Sequence, residues 1–208
     1  MSGLFVTIEG GEGSGKSTLQ TRLCDNFPNT LKTREPGGTP LGIEIRKLLL
    51  HSDHTIDRRA ELFLFLADRS QHVETVIRPA LASGQTVICD RFTDSTLAYQ
   101  ALARDLPLDE LEILCALATE KLVPNLTFYI DIDPVIGLER VHHKRGNGFD
   151  RIEQEALNFH QKVRDAFLFL AKREKERIHV LDGTKTPDEV FHDASAILSK
   201  YTAGQPSR

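Results

Sequence analysis

Gly10-Gly11-Glu12-Gly13-Ser14-Gly15-Lys16-Ser17 decides the fold of this 208-residue chain. The stretch satisfies G-x-x-x-x-G-K-[S/T], and its flanks agree: residues 4–8 form a short apolar strand and residues 16–27 a helix. Glycines let successive backbone N–H groups turn inward around phosphate oxygens, and the helix N-terminus behind them adds donors and partial positive charge. A nucleoside triphosphate then lies along residues 10–18, ending at Thr18. Lys16 reaches its β- and γ-phosphates, and the Ser17 hydroxyl ligates Mg²⁺.

Outward from this loop, short apolar runs alternate with longer helical patterns. Strands are expected at residues 31–33, 86–89, 126–130 and 178–181. Helices are expected over residues 41–50, 57–83, 93–104, 108–122 and 152–176, with another opening at Asp133-Pro134. Thr186-Pro187-Asp188-Glu189 reads as a capping box that starts a last helix ending near Lys200. Strands separated by helices predict an α/β fold of the P-loop NTPase class, a five-stranded parallel sheet covered on both faces. No repeat or long linker divides the chain, so residues 1–208 are read as one domain. Residues 142–151 break the pattern with a basic, glycine-bearing segment, and residues 201–208 are expected to fray.

Composition narrows the partners. Hydrophobic residues make up 40% of the chain, enough for a substantial core. With 26 basic against 30 acidic residues, the net charge of −4 argues against nucleic-acid binding. No apolar run approaches the ~20 residues of a membrane span, and the first residues lack a signal pattern. Cys24, Cys89 and Cys115 are widely separated among apolar neighbours, which suits reduced thiols in the cytoplasm.

A triphosphate loop does not name a reaction. A guanine-reading Asn-Lys-x-Asp is absent, and helicases and transport ATPases are generally larger, so small kinases fit best. Asp90 ends the strand at residues 86–89, at the sheet edge where ligands bind, and can help organise Mg²⁺. Arg91 beside it can hold a phosphate bidentately or simply pair with Asp90.

The glycine loop, Arg34-Glu35-Pro36-Gly37-Gly38-Thr39, the helix from Phe65 to Arg69, the run from Asp90-Arg91-Phe92 through Ser95-Thr96 to Tyr99-Gln100, and Asp150-Arg151-Ile152-Glu153 together give the chain a resemblance to the thymidylate kinase family. It implies a homodimeric kinase that moves the γ-phosphate of ATP, with Mg²⁺, onto dTMP. It implies that Arg34 and Arg91 hold the acceptor phosphate, that Phe65 stacks on thymine and that Arg69 reaches its O4. Thr96 then faces the N3 side with Ser95 nearby, Gln100 lies near the base, Tyr99 crowds C2′ of the sugar, and Glu12 approaches the 3′-hydroxyl. Phe65 alone, within Leu62-Phe63-Leu64-Phe65-Leu66, reads first as buried core, and only the resemblance turns it toward the base.

Some family members carry an arginine inside the glycine loop; here that cation is missing. The bacterial pattern with a plain loop puts catalytic arginines in a lid, which corresponds to residues 142–151. Arg145 and Arg151 are the expected pair beside Lys16, Asp90 and Arg91, with Arg140 third, and spacing does not choose among them. Adenine contacts are expected near residues 182–186. Two departures stand out: Ala101-Leu102-Ala103-Arg104 replaces a glycine-rich run, and Phe92 replaces a polar aromatic. The competing readings are another nucleotide or deoxynucleoside kinase, and a slow nucleotide-dependent switch protein.

Overall fold

Strand β1 (Phe5–Gly10) is buried along its whole length, as a strand covered on both faces must be. In this computed structural model, which describes residues 3–51, 55–145 and 150–203, the other strands are β2 (Thr30–Arg34), β3 (Thr86–Asp90), β4 (Leu126–Asp131) and β5 (Ile178–Asp182). The side chains of residues 144, 145 and 203 also lie outside the description. All pairings are parallel, in the order β2-β3-β1-β4-β5. The chain leaves β1 for the edge at β2 and returns to β3, so a crevice opens beyond the C-terminal ends of β1 and β3.

Period-two alternation sorts the core. Leu4, Val6 and Ile8 join Ile88, Leu126, Phe128 and Ile130 on one face, against Leu19 and Leu23 of α1 (Lys16–Asn26) and Ala194 and Leu198 of α9 (Pro187–Ala203). Phe5, Val87, Cys89 and Phe92 look the other way, onto Val73, Ile77 and Leu81. Beside them Tyr129 stacks on Phe167 at 4.9 Å between centroids. Each buried valine, leucine, isoleucine or phenylalanine among them contributes roughly 1.5–3 kcal/mol by leaving water.

The remaining helices are α2 (Pro40–His51), α3 (Arg58–His72), α4 (Arg78–Ala82), α5 (Thr93–Thr96), α6 (Leu108–Ala118), α7 (Pro134–Arg145) and α8 (Leu157–Arg173). Among the described residues no helix is long and apolar enough to cross a membrane.

Several boundaries differ from expectation for local reasons. The helix expected over residues 57–83 is interrupted by a π-helical turn, Val73–Ile77. Pro79 lacks an N–H and its ring would crowd the carbonyl of Thr75, which the wider turn relieves. A second π-helical turn, Leu97–Leu102, follows α5 and carries Tyr99 and Gln100. The helix expected from residue 152 starts at Leu157 instead. Asp150 Oδ1 accepts from the N–H groups of Ile152 and Glu153 (both 2.9 Å) while Glu153 Oε2 accepts from Asp150 N–H (2.8 Å), closing a separate turn. α6 stops at Ala118, not residue 122, because Glu120 and Lys121 turn left-handed (φ 47° and 60°). α9 runs past Lys200 to Ala203, and the Tyr201 hydroxyl donates to the Glu176 carbonyl at 3.2 Å. Residues 204–208 of the expected tail and 146–149 of the expected lid lie outside the described residues.

Candidate functional site

A cleft of about 750 Å³ lies at this crevice, with the glycine loop at one end and α3, α5 and the second π-helical turn at the other. The loop needs its glycines. Gly13 sits at φ 67°, where an added Cβ would stand 2.0 Å from the Gly137 carbonyl oxygen of α7. Lys16 Nζ donates to the carbonyls of Gly10 (3.0 Å) and Gly11 (2.8 Å) and to Ser14 Oγ (3.5 Å), bracing the loop it belongs to. Burial and the nearby Arg91 cation lower the Lys16 ammonium below its ordinary value.

Ser17 Oγ donates to Asp90 Oδ2 at 3.0 Å, and Asp90 Oδ1 is buried with no partner among the described residues. A hydroxyl and a carboxylate oxygen left over beside a phosphate loop are hard donors of the kind Mg²⁺ takes, so these residues fit that ion.

Arg91 ends β3 in a left-handed conformation (φ 71°). Its guanidinium donates to Glu12 Oε1 (2.7 Å) and Ser95 Oγ (3.1 Å) and lies over the Tyr99 ring, 5.0 Å from the centroid. The Tyr99 hydroxyl donates to the same Glu12 oxygen at 2.9 Å. Burial alone would raise the Glu12 carboxyl, but Arg91, Lys16 and the Tyr99 hydrogen bond outweigh it and hold it at about 2. Beneath this triad, Glu9 is fully buried. It accepts from Phe92 N–H (2.8 Å) and Ser95 Oγ (2.6 Å), and burial with the neighbouring Asp94 pushes its carboxyl up to about 7.

At the far end Arg69 is only 2% exposed yet lines the cleft. It donates through Nε to Glu35 Oε2 (2.7 Å), through Nη1 to Thr96 Oγ1 (2.8 Å) and Cys115 Sγ (3.9 Å), and through Nη2 to the Phe92 carbonyl (2.9 Å). One Nη2 hydrogen has no partner among the described residues. Phe65, one helical turn earlier on α3, is half-buried on the same cleft.

Arg34 is exposed at the end of β2, lines the cleft and has no partner for its guanidinium among the described residues. The cleft thus brings together Glu12, Lys16, Ser17, Arg34, Phe65, Arg69, Asp90, Arg91, Ser95, Thr96, Tyr99 and Gln100. Ser95 serves Arg91 and Glu9, and Gln100 Nε2 donates to Glu61 Oε1 at 3.0 Å. Arg151 is held elsewhere: it donates to the Leu49 carbonyl at 2.9 Å and to Glu61 Oε2. Arg140 lines the cleft and donates to the Gly183 carbonyl at 3.0 Å, while the Arg145 side chain lies outside the described residues.

Sequence reasoning passed over Glu9, Glu35, Arg46 and Glu61. Arg46 lines the cleft near Arg34 and Arg91, and burial with those cations lowers its own guanidinium. Its position on α2, just after the Arg34–Thr39 loop, was the available signal. Glu61 carried one too, as an acid opening the apolar stretch of α3.

Residues 8–194 match the family model described as thymidylate kinase. Among curated proteins, the chain is 47% identical to the thymidylate kinase of Protochlamydia amoebophila, over 95% of this chain and 93% of that protein. It is also 47% identical to the thymidylate kinase of Carboxydothermus hydrogenoformans, over 95% and 98%. The crystal structure of thymidylate kinase from Ehrlichia chaffeensis superposes with a TM-score of 0.78 at 31% identity, covering 96% of this chain and 99% of that one. With a P-loop sheet, a phosphate loop and an arginine-lined second subsite in one cleft, the chain is an ATP-dependent nucleoside monophosphate kinase and belongs to the thymidylate kinase family.

Proposed function

We propose that this kinase converts dTMP to dTDP, with ATP on residues 10–18 and the acceptor between Arg34, Arg91, Tyr99, Phe65 and Arg69. An acceptor phosphate oxygen attacks the γ-phosphorus in line, the bond to the β–γ bridging oxygen breaks, and ADP leaves. No covalent intermediate is needed; positioning and charge neutralisation carry the rate. Lys16 leaves its carbonyl partners for the β- and γ-phosphate oxygens. Ser17 and Asp90 would hold Mg²⁺, which would supply charge neutralisation at those phosphates.

Arg34 and Arg91, with Arg46 behind them, aim the dianionic acceptor, and Arg140 and Arg145 supply the cation that the plain loop lacks. Arg151 takes that role only by leaving Glu61. Glu12, ionised throughout the working range, accepts from the 3′-hydroxyl while the Tyr99 ring fills the space a 2′-hydroxyl would need. Phe65 stacks on thymine, Arg69 offers its remaining N–H to O4, Thr96 meets the N3 edge, and Ser95 and Gln100 line the sugar–base passage. The kinase works as a homodimer in the cytoplasm. Exposed Phe63 on α3 and Ile113 and Leu117 on α6 (58%, 69% and 75% exposed) supply an apolar face for the second copy.

The observation that supports this reading best is one cleft holding a phosphate loop at one end and a hydrogen-bonded Arg69–Thr96 pair beside Phe65 at the other. The test is ATP-dependent phosphorylation of dTMP, dUMP, ribo-TMP, dCMP, dGMP and thymidine with Mg²⁺ present. Fast dTMP turnover with the others far behind is expected. Preference for another acceptor overturns the base assignment, and ATP hydrolysis without any phosphorylated acceptor favours a switch protein.

A further inference from the structure

Glu35 follows Arg34 directly in sequence, and its own backbone N–H donates to the Asp90 carbonyl at 2.9 Å, so it is anchored at the phosphate end of the cleft. Its side chain runs the other way. Oε2 accepts from Arg69 Nε at 2.7 Å, and Oε1 pairs with His72 Nδ1 at 2.9 Å; all three side chains are almost fully buried. His72 is fixed in turn by Thr33 Oγ1, 2.6 Å from its Nε2, on the strand that carries Arg34.

A buried guanidinium has one low-energy orientation when its planar donors are all matched. Here Glu35, Thr96 and the Phe92 carbonyl take three of the Arg69 N–H groups from two chain segments, the loop after β2 and α5 with its N-cap residue. The direction of the one remaining N–H is therefore set by where the Glu35 carboxylate sits.

We infer that Glu35 is a positioning residue for acceptor recognition, holding Arg69 so that the distance between the phosphate site at Arg34 and the base site at Arg69 is fixed through one side chain. The inference rests on the reading of Arg69 as the base-facing residue. It gives the cleft a built-in length, matched to one nucleoside monophosphate and indifferent to the triphosphate at the other end.

Charge and reach can be separated. Glu35→Gln keeps the reach: its amide oxygen still accepts from Arg69 Nε, and its NH₂ donates to His72 Nδ1 once the imidazole proton moves to Nε2. Glu35→Asp keeps the charge but falls short by one methylene, about 1.5 Å. Positioning predicts that Glu35→Asp raises the KM for dTMP by about tenfold or more and lowers the preference for dTMP over dCMP by a similar factor, with kcat within about threefold and the KM for ATP unchanged. Glu35→Gln stays within about threefold of the parent in both.

A residue that only supports the fold would lower the active fraction without moving that preference. Glu35→Asp with unchanged dTMP KM and unchanged preference overturns the inference, as does the reverse order of the two variants. If Glu35→Asp does not fold, His72→Ala serves: loss of the brace on Oε1 should raise the dTMP KM with kcat preserved, and an unchanged KM overturns the inference. Arg69→Gln, run in parallel, separates the two levels. If it leaves the dTMP KM unchanged, the base-reading assignment fails and the inference with it; if it raises KM while Glu35→Asp does not, only the positioning role fails.

Discussion

Tyr99→Phe removes one oxygen from the joint between the glycine loop and the acceptor subsite and leaves the ring in place. The deleted group donates to Glu12 Oε1 at 2.9 Å, a bond to a charged acceptor of a kind worth about 1.5–3 kcal/mol. Glu12 keeps Arg91 on the same oxygen at 2.7 Å, so no carboxylate is orphaned and the loss falls at the lower end, about 1.5 kcal/mol. That energy favours the ionised carboxyl, so its removal lets Glu12 titrate about one pH unit higher. The folded-state value, about 2, lies below the ordinary 4.5. The contribution is therefore fully present above pH 4.5 and is lost as pH falls toward 2. Urea unfolding should show the full gap between variant and parent near neutral pH, and the gap should narrow only below pH 4.5. Kinetics give the second half of the test. The ring still fills the sugar pocket, so preference for dTMP over ribo-TMP should stay within about twofold, whereas Tyr99→Ala should abolish it. A Tyr99→Phe enzyme that loses the sugar preference would refute the assignment of that filter to the ring. One with unchanged stability at neutral pH would refute the coupling to Glu12.

Asp68→Asn should stabilise the protein near neutral pH by about 1–2 kcal/mol, because burial and Glu35 raise the Asp68 carboxyl to about 6 and its Oδ2 is buried without a partner among the described residues. The cost of the raised acid is full above pH 6 and disappears as pH falls through 3.8, so melting curves of variant and parent should converge across that window. Arg177→Ala should cost about 3–5 kcal/mol in urea, since Arg177 holds nearly buried Asp94 bidentately at 2.7 and 2.9 Å; adding Asp94→Ala should recover part of the loss. If two copies pair through the apolar face of α6, Leu117→Glu should lower the sedimentation coefficient to that of a monomer; an unchanged value would refute pairing through that face.

What the sequence reveals is whatever chemistry is local. The glycine loop, the strand before it and the helix after it read directly, because backbone geometry and phosphate binding there demand particular residues at fixed spacing. Phe65 and Arg69 were legible as neighbours on one helical turn. The core reading of the apolar run around them also holds in part, since Leu62 and Leu66 are buried while Phe63 points outward. The strand order was not legible, nor were partners far apart in the chain. Arg151 reads as one more cation in a basic segment, and only folding brings it 90 residues back to Glu61. Glu9 reads as the polar end of a strand until burial reveals it as the floor beneath Arg91. The late start of α8 escaped for a different reason. Asp150 and Glu153 form a reciprocal cap that looks like a helix start but closes a turn of its own.

Gly137 sits inside α7, where a glycine costs about 1 kcal/mol relative to alanine. An added Cβ there would stand 2.3 Å from the Glu12 carbonyl oxygen, as one on Gly13 would stand against Gly137 itself. Bare backbone meets bare backbone, with no rotamer between them to absorb a displacement. The loop and the first turn of α7 therefore pack as one unit, with Arg140 three residues further along that helix. A shift of the glycine loop would press on α7 at Gly137 directly, backbone on backbone.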